Sequence, residues 1–147
     1  MPTDSFIADY TLWVFLSALG VIQLTAARGG LAGLLFLRRW PRATSYASAA
    51  LIVAAFAWFF GSEVRNVPDT VSGLDGNTQF LWFAVGAGGA VVVTFLGASA
   101  LNDRWGAAHR WDASMRSGPA VGFDRLERTT FVRALCARIS ALRSGER

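Results

Sequence analysis

Lysine is absent from this 147-residue sequence, and cysteine and histidine occur once each, at Cys136 and His109. One cysteine closes no intrachain disulfide and builds no cysteine metal site within a single chain. We read it as a small apolar residue in a reducing compartment. One histidine excludes a haem held by two histidines and any multi-histidine metal centre in one chain, so no cofactor or metal is expected. Acidic residues are missing from every long apolar run, which removes the usual carrier of protons or cations in small antiporters. A serine nucleophile elbow, a phosphate-binding glycine loop and a HExxH helix are missing as well, and no enzyme activity is expected. The GAGG at 86–89 falls inside an apolar run and reads as a packing device. No nucleic-acid recognition motif or interleaved stacking aromatics accompany the basic residues, so nucleic acid is not an expected partner. The opening MPTDSFIADY has two aspartates where a secretory signal would have basic residues, so the first apolar run is expected to persist as an anchor.

The abundant component is apolar: 53 % of the residues are hydrophobic and 16 % charged, which suits one small membrane domain with a short polar extension. Phe80 to Leu101 is uncharged. As a helix it would measure roughly 33 Å, enough to cross a hydrocarbon core of roughly 30 Å. Within hydrocarbon, peptide groups must be satisfied internally, and this outweighs the strand preference of Val91, Val92 and Val93.

Tyr10 to Ala27 predicts the first span. Arg28, Gly29 and Gly30 interrupt it before LAGLLFL carries on to Leu37. Two readings follow: one long helix bent at the glycines, which we favour, or a helix capped near Arg28 followed by a short interfacial segment. Thr44 to Gly61 predicts the second span, with Pro41 just ahead, where its missing N–H costs nothing. Ala47, Ala50, Ala54, Ala57 and Gly61 recur at steps of three and four, as do Gly86, Ala90, Thr94 and Gly97 in the third span. Small residues let membrane helices approach closely, so these two stripes are expected to face each other in an antiparallel pair. The expected fold is all-α: a three-helix membrane domain over 1–101, with spans near 10–37, 44–61 and 80–101 and a polar connection at 62–79. A basic tail over 102–147 should carry helices near 103–116 and 124–142, the second opened by an Asp124/Glu127 capping box.

Charge and tryptophan positions orient the spans. Five arginines balance five acids in residues 1–101, and nine arginines against five acids place the whole formal excess of +4 in the tail. Arg38, Arg39 and Arg42 mark the first connection as cytoplasmic, which puts the N-terminus outside and the tail inside a multi-pass cell-membrane protein. Trp13, Trp58 and Trp82 near the outer helix ends, and Trp40 and Trp105 near the inner ones, fit headgroup depth on both sides. In the tail, Phe131, Leu135, Ile139 and Leu142 share one helical face, expected to lie on the inner leaflet or to dock a protein partner.

Three polar residues in or beside the spans stand out. Arg28 is read first as an interfacial arginine marking the helix end, and otherwise as an anion, headgroup or gating contact. Gln23 is expected to bond between helices, with a polar path as its alternative role. Thr94 and Ser17 are expected to return their hydroxyls to their own helix backbone. Glu63, Asp69, Asp75 and Asn77 offer oxygen ligands, but not in the order of an EF-hand loop, and are read as a turn-rich connection. The function expected is a non-catalytic anchor, accessory or scaffold subunit, with the bilayer, a protein partner or further copies of itself as its contacts. Its alternatives are an oligomeric pore or carrier lined by Gln23, Thr94 and Arg28, and a sensor acting through the outer loop.

Overall fold

A computed structural model describes residues 2–61, 76–102, 126 and 129–143, with four helices: α1 (Pro2–Arg28), α2 (Pro41–Gly61), α3 (Gly76–Leu101) and α4 (Phe131–Arg143). No strand occurs among the described residues. Phe6–Arg28, Pro41–Gly61 and Gly76–Leu101 are each long and apolar enough to cross a membrane. The helix expected over 103–116, the Asp124/Glu127 box, Trp105, residues 62–75 of the second connection and the side chain of Leu142 lie outside the described residues.

α1 is the central helix. Both α2 and α3 pack on it, and packing of α2 directly on α3 is slight. Glycines decide where the backbones close up. A Cβ at Gly20 would press on the Ile52 side chain and the Ser48 carbonyl of α2, and one at Gly86 would press on the Thr11 carbonyl and Val14 of α1. Phe59 of α2 meets Phe6, Tyr10 and Trp13, while Ser48 meets Gly20 further along, so α2 runs antiparallel to α1. Gly86 meets Thr11 and Val14, and Gly89 meets Phe15, so α3 runs parallel to it.

This arrangement corrects the expected pairing of the two stripes. Gly86, Ala90, Thr94 and Gly97 do face inward or half inward, but toward α1 and the loop that follows it. Ala47, Ala50, Ala54, Ala57 and Gly61 all lie exposed on the far side of α2. The rotation of α2 is set instead by its two ends. At one, the Thr44 hydroxyl donates to the carbonyls of Trp40 (3.1 Å) and Leu37 (3.3 Å). At the other, Phe59 stacks on Trp13 with ring centroids 4.7 Å apart. Aromatic burial of that size outweighs what a row of methyl groups offers.

α1 ends at Arg28, so the favoured continuous bent helix is not formed. Gly30 takes the left-handed conformation, φ 73°, and the Leu31 N–H donates back to the Ala26 carbonyl at 2.9 Å. This six-to-one bond around a left-handed glycine is a Schellman cap, and Leu31 packs beside Ala26 as the motif favours. A compact apolar loop with a 3-10 turn at Ala32–Leu34 follows and leads into α2. At the other end of the chain, α4 begins at Phe131. Thr129 and Thr130 are non-helical and buried, and the Thr130 carbonyl accepts the first helical bond, from Ala134.

Two apolar clusters result. Tyr10, Val14 and Phe59 gather Phe6, Trp13 and Trp82 at the amino-terminal end of α1. Ala26, Leu34, Leu35 and Leu126 gather Leu31, Phe95, Phe131 and Ala134 at the other, which we call the loop end.

Candidate functional site

The loop end carries the most organised polar chemistry among the described residues. Residues 29–40 are largely non-helical backbone beside apolar side chains, and in such surroundings each N–H and C=O needs a partner. Gln23, buried on α1, supplies two of them. Its Nε2 donates to the Leu34 carbonyl at 2.8 Å, and its Oε1 accepts from the Phe36 N–H at 3.1 Å. Asn102, just past the end of α3, donates from Nδ2 to the carbonyls of Leu35 and Ala98, both at 2.8 Å. Three consecutive residues of the loop are thus stitched to helices on either side, each bond contributing about 0.5–1.5 kcal/mol net.

The tail is locked to the same end. The carbonyl of Thr129 lies against Gly33, where a Cβ would overlap it, and the Leu126 carbonyl is also close. Ser99 on α3 donates to the Phe95 carbonyl at 2.7 Å and accepts the Val132 N–H at 3.2 Å, so it satisfies one of the unpaired amides that open α4. Phe95 and Phe131 meet edge to face with centroids 4.5 Å apart. Residues Leu126, Thr129 and Thr130 are therefore part of the bundle.

The residues singled out from the sequence do not converge. Gln23 and Thr94 are enclosed, whereas Arg28 is exposed at the end of α1, where a cation meets the negative end of the helix dipole. The three share no lining. Thr94 is wholly buried and its hydroxyl has no partner, and the Ser17 hydroxyl is also unpaired, so neither makes the expected bond to its own helix. Thr11, Thr25, Ser45 and Ser99 do make such bonds.

Trp13 sits within the aromatic cluster with its indole N–H buried and unpaired. Trp82 packs against the same cluster, while Trp58 and Trp40 are exposed. Beside that cluster, α1 and α3 leave an open apolar cleft of about 600 Å³ lined by Ile7, Leu12, Phe15, Trp82 and Gly86. Of the expected tail face, Phe131 is committed to the bundle, while Leu135 and Ile139 are exposed.

Asn102, Ser99, Gly33 and Gly20 were not expected to matter. Gly33 and Gly20 had a local signal, each being an isolated glycine in an apolar run, which often marks close backbone approach. Asn102 and Ser99 had none, because their partners lie on distant segments.

The geometry thus defines an all-helical protein with three helices long and apolar enough to span a membrane, and a tail folded back on one end of them. No protein-family model, curated protein or solved structure matches the chain.

Proposed function

We propose that the protein is a multi-pass cell-membrane protein that acts as a non-catalytic anchor or scaffold, its N-terminus outside and its tail on the cytoplasmic face. The observation that carries this reading is the way α4 is fixed. Ser99 and Phe95 hold its first turn at the loop end, while its outer side stays exposed, as a presented surface requires. Polar side chains at that end, the buried Gln23, Thr44 and Ser99 and the half-buried Asn102, bond the protein's own backbone, which suits a structural role. The orientation is supported by charge. The described arginines, 28, 38, 39, 42, 133, 138 and 143, all lie at the end of α1, in the following loop, at the start of α2 or on α4, while Asp9 lies on the opposite end of α1. The exposed alanine row of α2 supports lateral packing against another transmembrane helix.

Alkaline extraction of native membranes should leave the chain in the pellet. A membrane-impermeant thiol reagent should leave Cys136 unlabelled in intact cells, and labelling there would overturn the orientation. Copurification in mild detergent should bring down a protein partner or further copies of the chain, lost when the exposed alanine row of α2 is filled by Ala54→Leu. Recovery of the protein alone would sink the scaffold reading.

A further inference from the structure

We infer that α4 is a binding helix for anionic phospholipid, lying in the headgroup layer with an apolar stripe toward the acyl chains. The inference rests on the membrane reading above and adds the chemistry of the contact.

The stripe is not the face that periodicity alone suggests. Phe131 and Ala134 turn into the bundle cluster, which rotates α4 and leaves Val132, Leu135, Cys136 and Ile139 exposed. These four occupy positions i, i+3, i+4 and i+7. At about 100° per residue they fall within roughly 100° of arc, with Arg133 and Arg138 roughly 110° to either side of its centre and Arg143 at its far end. An apolar strip flanked on both sides by arginines whose long stems can reach upward is the pattern of a helix lying flat in an interface. The thirteen residues of α4 contain three arginines and no acid, so the charge complements an anionic surface.

Depth points the same way. Ser99, two residues before the end of α3 at Leu101, accepts the Val132 N–H, so α4 starts level with the last turn of a helix long enough to cross a bilayer. The exposed ring of Trp40 and the arginines of the first connection belong to that end also. Helix ends of this kind sit among headgroups.

A folded protein partner is the poorer occupant. Four partly exposed side chains over two turns fall far short of the roughly 800 Å² per partner that a stable protein interface buries. A lipid surface sets no such threshold here. The helix is already tethered to the bundle, so a small favourable contact acts at high effective concentration.

Cys136 lies on the stripe and is the sole cysteine, so the full-length protein reports on this contact directly. The protein, carrying an environment-sensitive fluorophore on Cys136, is reconstituted into vesicles of phosphatidylcholine alone or mixed with phosphatidylglycerol. The expected result is a blue-shifted, lipid-quenchable signal in the mixed vesicles, reversed by high salt, and a water-like signal in phosphatidylcholine alone. Each arginine near an anionic surface strengthens partition roughly fivefold, so replacing the two exposed ones (Arg138→Gln, Arg143→Gln) should weaken the contact roughly 25-fold. A water-like signal in both membranes overturns the inference, as does equal burial in both or burial that appears only when a protein partner is added. Retention of the chain in the vesicles after alkaline washing is scored in parallel. Failure there rejects the membrane reading, whereas retention with an aqueous Cys136 rejects only the lipid contact.

Discussion

Gly33 lies so close beneath Thr129 that any side chain at position 33 would occupy the space of the Thr129 carbonyl. The tail can dock only because the loop offers bare backbone at this point. Gly33→Val should force the two apart at a cost of roughly 1–3 kcal/mol, as overpacking does. Hydrogen exchange would register it as faster exchange of the Val132 amide, with the amides of α2 unchanged. Unaltered exchange at Val132 would mean that the docking does not depend on this contact.

Gln23→Leu removes two hydrogen bonds and strands the Leu34 carbonyl and the Phe36 N–H. The expected loss is about 1–3 kcal/mol in reversible unfolding from detergent micelles. Asn102→Leu should cost a similar amount. The two substitutions act on neighbouring carbonyls of one loop, so the double variant should depart from additivity by about 0.5 kcal/mol or more. Strict additivity would show that the loop is not held as one unit.

Thr94→Val should be neutral within about 0.5 kcal/mol or stabilising, because it replaces an unpaired buried hydroxyl by a methyl group of similar shape. A loss beyond about 1 kcal/mol would reveal a hydrogen-bond partner for the hydroxyl.

Gly86 and Ala54 belong to the two small-residue stripes but face opposite ways. Gly86→Leu should push α3 off α1 and destabilise the monomer by roughly 1–3 kcal/mol. Ala54→Leu adds its bulk on an exposed surface, so it should leave monomer unfolding within about 0.5 kcal/mol and weaken only association between chains, read by crosslinking in membranes. Equal monomer destabilisation by both would place the alanine row inside the fold.

Some of this was legible from local sequence and some was not. Gly30 carries its own instruction, since an L side chain is disfavoured at its φ of 73° and a helix reaching it stops there. Even so, the apolar LAGLLFL after it resembled a continuing span. Hydropathy cannot tell a helix from a buried loop when side chains elsewhere satisfy the loop's backbone. Gln23 was noticeable as a polar residue in a greasy run, but its partners lie eleven and thirteen residues on, reachable only because the chain turns back. The alanine row of α2 was a true periodicity assigned to the wrong side. Spacing shows that residues share a face, and which face turns inward depends on neighbours that spacing does not contain.

Length and polarity of the apolar runs were enough to establish three long helices, because the cost of an unpaired peptide group in apolar surroundings is paid locally, residue by residue. Folding in three dimensions was needed to decide that α1 stands in the middle, that α2 turns its alanines outward and that the tail caps the loop. Those outcomes turn on where two backbones can touch, at Gly20, Gly33 and Gly86, and on bonds such as Ser99 to Val132 that join residues far apart in the chain.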